Sequence, residues 1–246
     1  MLSIDLNCDM GEGMPNDAAI MPYISSVNIA CGYHAGDSSI MQRTIDLALR
    51  HNVAIGAHPG FADKINFGRT EQKLSQEDYY ELVKQQLLII QQHIKAAGAS
   101  MHHVKPHGAL YNMSAMNNTL ATIVAKAVKD HDPSLILYGL SNSYSVTAAA
   151  TIGLQTASEV FADRTYTHEG NLTPRTNTNA LITHKAQSVK QVLQMIQQQT
   201  VTTIDGKIIP VKAETICIHG DGTHTVSFVK LIAEQLKKNN IQVKTI

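Results

Sequence analysis

Cysteine is scarce in this sequence, with three residues in 246. Cys8, Cys31 and Cys217 are too few and too widely spaced for a disulfide framework, so buried, reduced thiols are expected. Charge is also thin, at 16% of residues, and 20 basic side chains cancel 20 acidic ones. Without a Lys/Arg stripe or a basic tail, no nucleic-acid partner is expected. No apolar run approaches about 18 residues, and the opening Met1-Leu2-Ser3-Ile4-Asp5 has no positive stretch before its apolar residues. Neither a membrane span nor a secretory leader is expected, and the thiols suit the cytoplasm.

Several catalytic signatures are missing as well. Gly206-Lys207 has neither the loop nor the Ser/Thr of a P-loop. There is no Cys-x-x-Cys, and His168-Glu169 lacks the second histidine of a zinc-protease helix. Gly139-Leu140-Ser141-Asn142-Ser143 follows a strand-like run as a nucleophile elbow would, but ends in Ser where Gly is needed.

What is present is a hydrophobic fraction of 43%, enough for a sizeable core, and a regular alternation of elements. β-prone runs fall near residues 2–8, 26–31, 53–57, 102–106, 134–139, 156–161 and 215–219. Amphipathic helical segments lie at 38–50, 76–97, 118–130, 143–151, 186–199 and 224–238. Ser75 and Asn117 suit helix starts, and Gly98 and Gly153 suit left-handed stops. Gln85, Gln86, Gln91, Gln92 and Gln197 to Gln199 read as solvated helix faces. Residues 201–212 read as a hairpin on a two-residue Asp205-Gly206 turn. The alternation predicts a parallel sheet, and its spread over residues 1–246 favours one closed barrel domain, with an open doubly wound sheet as competitor.

Parity locates the chemistry. Asp5, Asn7 and Asp9 point one way along the first strand, and Ile4, Leu6 and Cys8 the other. A strand covered on both sides should be nearly all apolar, so this polar face must look into a site or an interior cavity. Gly56 with His58, His103 with Lys105 and His107, and Cys217 with His219 and Asp221 repeat the pattern at strand ends, where α/β enzymes place catalysis. The rim also offers Glu12, Asn28, His34, Asp37, Arg69, Asp163 and Arg164. Asp37 and Asp221 read equally well as helix caps, and Asp163-Arg164 as a structural ion pair.

Six ordered blocks carry a resemblance: 5–12 (Asp-Leu-Asn-Cys-Asp-Met-Gly-Glu), 28–37 (Asn-Ile-Ala-Cys-Gly-Tyr-His-Ala-Gly-Asp), 56–60 (Gly-Ala-His-Pro-Gly), 104–112 (Val-Lys-Pro-His-Gly-Ala-Leu-Tyr-Asn), 159–164 (Glu-Val-Phe-Ala-Asp-Arg) and 219–221 (His-Gly-Asp). Together they resemble the LamB/YcsF family over essentially the whole chain. Ser38, Asn66 and Thr70 depart from the family's usual residues. The resemblance implies an irregular seven-stranded (β/α) barrel, similar to the polysaccharide-deacetylase/glycoside-hydrolase-like barrel. It also implies a role as the A component of an ATP-dependent 5-oxoprolinase, which opens 5-oxo-L-proline to L-glutamate with subunits B and C. ATP would be the co-substrate, held in this chain or in its partners, and a divalent metal is a further candidate cofactor.

The expected catalytic residues are Asp9, His34, His58, Lys105, His107 and Asp221. Asp5, Asn7, Glu12, Asn28, Arg69, Asp163, Arg164, Arg175 and His219 are expected to bind substrate. Asp9 or Asp221 would handle water, Lys105 and His107 would stabilise negative charge, and Arg164 or Arg175 would pair with the substrate carboxylate. Two other classes stay open: a metal-dependent deacetylase-like hydrolase using His34, His58 and an Asp, and a non-catalytic substrate-binding subunit.

Overall fold

Alternating apolar and polar side chains give Leu2–Met10, strand β1, two unlike faces. The computed structural model describes residues 2–219 and 225–246. After β1 come α1 (Asp17–Ile20), a 3-10 turn (Met21–Tyr23), β2 (Ser26–Ala30), α2 (Ser38–His51), β3 (Ala54–His58) and α3 (Gln76–Ala96). Then follow β4 (His103–Val104), α4 (Gly108–Met116), α5 (Asn118–His131), β5 (Ile136–Leu140), α6 (Tyr144–Thr151) and β6 (Gln155–Phe161). The chain finishes with α7 (Lys185–Gln198), β7 (Thr200–Thr202), β8 (Ile208–Pro210), β9 (Thr215–Ile218), α8 (Thr225–Lys238) and β10 (Ile241–Val243).

Seven strands pair in parallel in the order β1-β2-β3-β4-β5-β6-β9, and β9 returns to β1 with Asp5 opposite Thr215 and Asn7 opposite Cys217. That return closes the barrel and decides against an open sheet. The expected strands all form in the expected order. β4 is short because Pro106, just beyond it, has no N–H to offer a neighbour. Helix starts and stops fall where their residues predict: Ser75 accepts from the Asp78 amide and Asn117 from the Leu120 amide, both at 3.1 Å, and Gly98 and Gly153 take positive φ. Asp37 caps α2, accepting from the Ile40 amide at 2.9 Å.

Three features differ from the sequence expectation. Helix α4 begins inside the Val104–Asn112 block with no side-chain cap hydrogen bond to announce it. Strand β10 lies parallel on the first half of β1, Leu2 opposite Ile241. The hairpin is real but does not turn in two residues: Thr202 faces Ile208, leaving a five-residue loop over 203–207. The Thr203 hydroxyl organises that loop by accepting from the Lys207 amide at 3.1 Å, while the Thr203 amide donates to the Lys207 carbonyl at 2.8 Å.

The apolar core lies outside the barrel. Ile4, Leu6 and Cys8 of β1 pack with Ile45 of α2, Val229 of α8 and their neighbours in a continuous shell between strands and helices. Inside, where many barrels stack Val, Ile and Leu, the only apolar cluster among the described residues is Ile136, Tyr138 and Ala157. Most other interior side chains are polar, with Phe161 and Cys217 near the strand ends as exceptions. Asp5 accepts from Ser25, Ser26 and Thr215 hydroxyls, each at 2.6 Å, at the end where the strands begin. Above it the His103 ring stacks on Tyr138 with centroids 4.1 Å apart and lies across Gly56.

A Cβ on Gly56 would run into the His103 imidazole, so glycine is required here for space, and its φ is ordinary. Replacing Gly56 by Ala should therefore lower stability by about 1–3 kcal/mol, the range for overpacking a filled interior. Denaturant unfolding of G56A against the wild type measures it, and an unchanged midpoint would show that His103 moves aside without penalty.

Candidate active site

Where the strands end, the barrel is organised around a buried ammonium. Lys105 Nζ lies 2.9 Å from Asp9 Oδ1, 3.0 Å from Glu159 Oε1 and 3.0 Å from Cys217 Sγ. Burial opposes its charge, but Asp9 and the other groups facing it outweigh burial and hold Lys105 well above its ordinary range. Burial would likewise raise Asp9; His58 and Lys105 prevail and keep it well below the usual carboxylate range. Asn28 fixes the same layer, donating to Asn7 Oδ1 and Asp9 Oδ1 at 2.8 Å, while Asn7 donates to Glu159 at 2.9 Å. Cys217 is buried and its thiol is pushed well up by that burial. All three cysteines are free and buried, as their number predicts.

Beside this cluster sit three histidines and a glutamate. His58 Nδ1 lies 2.7 Å from the Lys105 carbonyl, so that nitrogen carries the proton and donates. His107 Nε2 likewise donates to the Phe67 carbonyl at 2.8 Å. The other two nitrogens, His58 Nε2 and His107 Nδ1, face each other at 2.9 Å. Glu12 Oε1 is 3.2 Å from His34 Nε2, 3.5 Å from His107 Nδ1 and 4.0 Å from His58 Nε2. Burial, then His58, pushes His34 down to about 2, and burial, then His34, pushes His107 well below its ordinary value. The donor atoms of Glu12, His34, His58 and His107 all lie within 4.8 Å of one another, a spacing that a metal ion can bridge. A second such group is Asp9, Cys217 and His219, of which Asp9 and Cys217 already share the Lys105 ammonium.

Asp9, His58, Lys105 and His107 floor a cavity of about 630 Å³ whose wall carries Arg69, Arg164, Arg175 and His219. Asp163 does not pair with Arg164; it holds His219, accepting from its amide at 3.1 Å and from Nδ1 at 3.0 Å. Arg164 donates through Nη2 to the Thr173 carbonyl at 2.6 Å and through Nε to the Ala180 carbonyl at 3.3 Å. Burial, then Arg175, lowers its guanidinium to about 10. Arg69 lies over the Phe67 ring, 4.9 Å from its centroid.

Of the residues picked from sequence, Asp9, His34, His58, Lys105, His107 and Glu12 thus converge, and Arg69, Arg164, Arg175, Asp163 and His219 gather at the mouth. Asn7 and Asn28 lie beneath, positioning Asp9 and Lys105, and Asp5 lies at the far end of the barrel interior. Asp221 falls outside the described residues. Glu159 is a site residue that the sequence reading misses; its signal is the one charged residue of strand β6, sharing parity with Phe161. Gln86 is not the solvated residue expected. It is fully buried and clamps Gly60 after His58, accepting from its amide at 2.9 Å and donating to its carbonyl at 2.8 Å. Its place on the Val83-Gln86-Leu87-Ile90-Ile94 stripe of α3 is the signal.

The LamB/YcsF family model matches residues 4–246. The chain belongs to the LamB/YcsF family. Among relatives of this LamB/YcsF member, the 5-oxoprolinase A subunit of Bacillus cereus (strain 03BB102) is 49% identical over 249 residues, covering 99% of this chain and 98% of the relative. The protein of the same name from Brevibacillus brevis is also 49% identical, over 248 residues, with 99% and 98% covered. A solved lactam utilization protein from Thermus thermophilus superposes with a TM-score of 0.93 at 36% identity over 100% of both chains. A family 4 carbohydrate esterase from Streptomyces lividans shares the fold alone, with a TM-score of 0.51, 13% identity, and 98% and 91% covered.

The Asp163–His219 pair gives the mouth a pH signature. Burial would raise Asp163, but the charge of His219 and its hydrogen bonds hold the carboxyl below its usual range. A depressed carboxylate stabilises the fold fully above its unfolded value of about 3.9, and this contribution is lost as pH falls through the folded value. Asp163→Asn should be less stable than wild type near neutrality, with the difference shrinking below about pH 4. Denaturant unfolding between about pH 3 and 7 reads this, and a pH-independent difference would count against the pairing.

Proposed function

We propose that this chain is the lactam-opening component of an ATP-dependent 5-oxoprolinase, acting with subunits B and C to convert 5-oxo-L-proline to L-glutamate while ATP goes to ADP and phosphate. The observation that carries this reading is near-half identity over the full chain to relatives named as the A subunit of 5-oxoprolinase. A cavity floored by a fixed ammonium and walled by arginines suits a small anionic substrate.

An unactivated lactam carbon resists attack by water, so ATP is best used to phosphorylate the lactam oxygen. No P-loop occurs in this sequence, and the partner subunits are assigned that step. Water then adds to the activated carbon, oriented by Asp9 or Asp221. Expelling phosphate from the resulting adduct would regenerate the lactam. Opening the ring requires the C–N bond to break with a proton delivered to nitrogen; the acyl phosphate left behind hydrolyses to glutamate and phosphate. Lys105, held charged, stabilises negative oxygen, with His107 beside it. His219, with Nδ1 fixed by Asp163, leaves Nε2 to deliver the proton. Arg164 or Arg175 takes the substrate carboxylate.

A metal-dependent hydrolase is the second reading, favoured by the Glu12, His34, His58 and His107 cluster. The test is glutamate release from 5-oxoproline and ATP by the complex reconstituted with subunits B and C. Lys105→Ala, His107→Ala and Asp221→Ala should each lower it by about 100-fold or more, with folding checked by circular dichroism. Full activity in all three folded variants would mean that the chemistry resides in the partners. Glutamate release without ATP would favour the second reading.

A further inference from the structure

We infer that Glu12, His58 and His107, with His34 as a fourth donor, form a site for one divalent first-row transition metal at the cavity floor. Proton positions point to it. The Lys105 carbonyl claims the Nδ1 proton of His58 and the Phe67 carbonyl claims the Nε2 proton of His107. When both rings are neutral, as they are when they bind a metal, each has one N–H, so His58 Nε2 and His107 Nδ1 present lone pairs to each other at 2.9 Å, with Asp9 Oδ2 3.3 Å from the same His58 nitrogen. Two lone pairs at that distance repel unless a cation lies against both. Glu12 adds a carboxylate oxygen to the same point, and the three histidines and Glu12 are buried from solvent.

The distances fit an ion. Metal–nitrogen and metal–oxygen bonds of about 2.0–2.2 Å place tetrahedral donors about 3.3 Å apart. The separations here are 2.9 Å between His58 and His107, 3.2 Å from Glu12 to His34, 3.5 Å from Glu12 to His107 and 4.0 Å from Glu12 to His58. The His34 ring is stacked on His107 with centroids 3.8 Å apart, so it joins only by tilting; its Nδ1 is buried without a hydrogen-bond partner. Three fixed donors with His58 and His107 on the cavity wall leave a coordination position toward the cavity, the arrangement of a catalytic ion.

The supporting residues match the demands of such a site. Metal-bound imidazoles donate their second N–H to a carbonyl or carboxylate, which fixes tautomer and ring orientation, and both His58 and His107 do so. Gly68, with a φ of +64°, lets the backbone pass where a Cβ would press on His34 and His107. Imidazole nitrogens with one carboxylate suit Zn²⁺, Co²⁺ or Mn²⁺ better than Mg²⁺ or Ca²⁺. Such an ion would polarise the substrate's carbonyl or phosphoryl oxygen or lower the pKa of a bound water.

The site does not depend on 5-oxoproline being the substrate, and its test reads binding. The full chain is stripped with chelator, then titrated with Zn²⁺ by calorimetry and with Co²⁺ by absorption spectroscopy. One ion per chain is expected, with Co²⁺ showing visible bands of four- or five-coordinate nitrogen and oxygen ligation. His58→Ala, His107→Ala and the milder His107→Asn should each weaken binding by at least about 100-fold, while His51→Ala, on the outer helix α2, binds as wild type. No binding by folded wild-type chain at micromolar metal, or wild-type affinity in the His58 and His107 variants, overturns the assignment and leaves a shared proton as the cation between the rings. Intact metal binding by a wild-type chain that releases no glutamate in the complex with subunits B and C would instead reject the 5-oxoprolinase reading.

Discussion

The ammonium of Lys105 is the charge around which the barrel is arranged. A lone cation inside a strand barrel would cost several kcal/mol in lost hydration, and only close, well-directed acceptors offset that. Three strands supply them: Asp9 and Asn7 from β1, Glu159 from β6 and Cys217 from β9, with Asn28 of β2 aligning the first two. The lysine itself follows β4. Both carboxylates, on β1 and β6, and the thiol on β9 reach one nitrogen only in the closed barrel, so its closure and the placement of its site are a single problem. The β1–β9 pairing is what brings Asp9 and Cys217 to the same nitrogen.

This arrangement inverts the usual distribution of stabilising contacts. A polar barrel interior contributes position, and net stability from its hydrogen bonds is modest because the same groups bond water when unfolded. The favourable term comes from the apolar shell between strands and helices. Helices therefore have a second duty. Gln86 of α3 and Gln191 of α7 reach out of that shell to hold the loops after β3 and β6, Gln191 donating to the Phe161 and Arg164 carbonyls at 2.8 and 2.9 Å. The loops that carry His58 and Arg164 are thus fixed from the outside by amides inserted into apolar stripes.

Much of this is legible in the sequence because period-2 alternation is unambiguous where polar residues break an apolar strand. Asp5, Asn7 and Asp9 announce a polar interior, and the strand-end histidines announce a rim. What alternation does not reveal is depth. Asp5 shares its face with Asp9 yet lies two layers lower among Ser25, Ser26 and Thr215. Helix α4 escapes notice because its chemistry-bearing first turn reads as a loop, and β10 because three residues carry too little pattern. Gln86 is misjudged by residue type although its position on the buried stripe is visible. The tautomers of His58 and His107 cannot be read at all, since they are set by carbonyls 47 and 40 residues away.

The division of labour at the site follows from how firmly each proton is held. Lys105 sits far above its ordinary range, so near neutrality it neither gives nor takes a proton; it can only act as a fixed charge. Asp9, held far below its range, is a weak base for the same reason and serves better to orient. Any proton movement in the proposed reaction would therefore fall to groups beyond this locked pair. His219 meets that requirement: it lines the cavity, its Nδ1 is anchored by Asp163, and its other nitrogen is not committed to the Lys105 network. In the proposed reaction the floor would fix charge and the mouth would move protons, so that a lactam lying between them would have its oxygen and its nitrogen served by different residues.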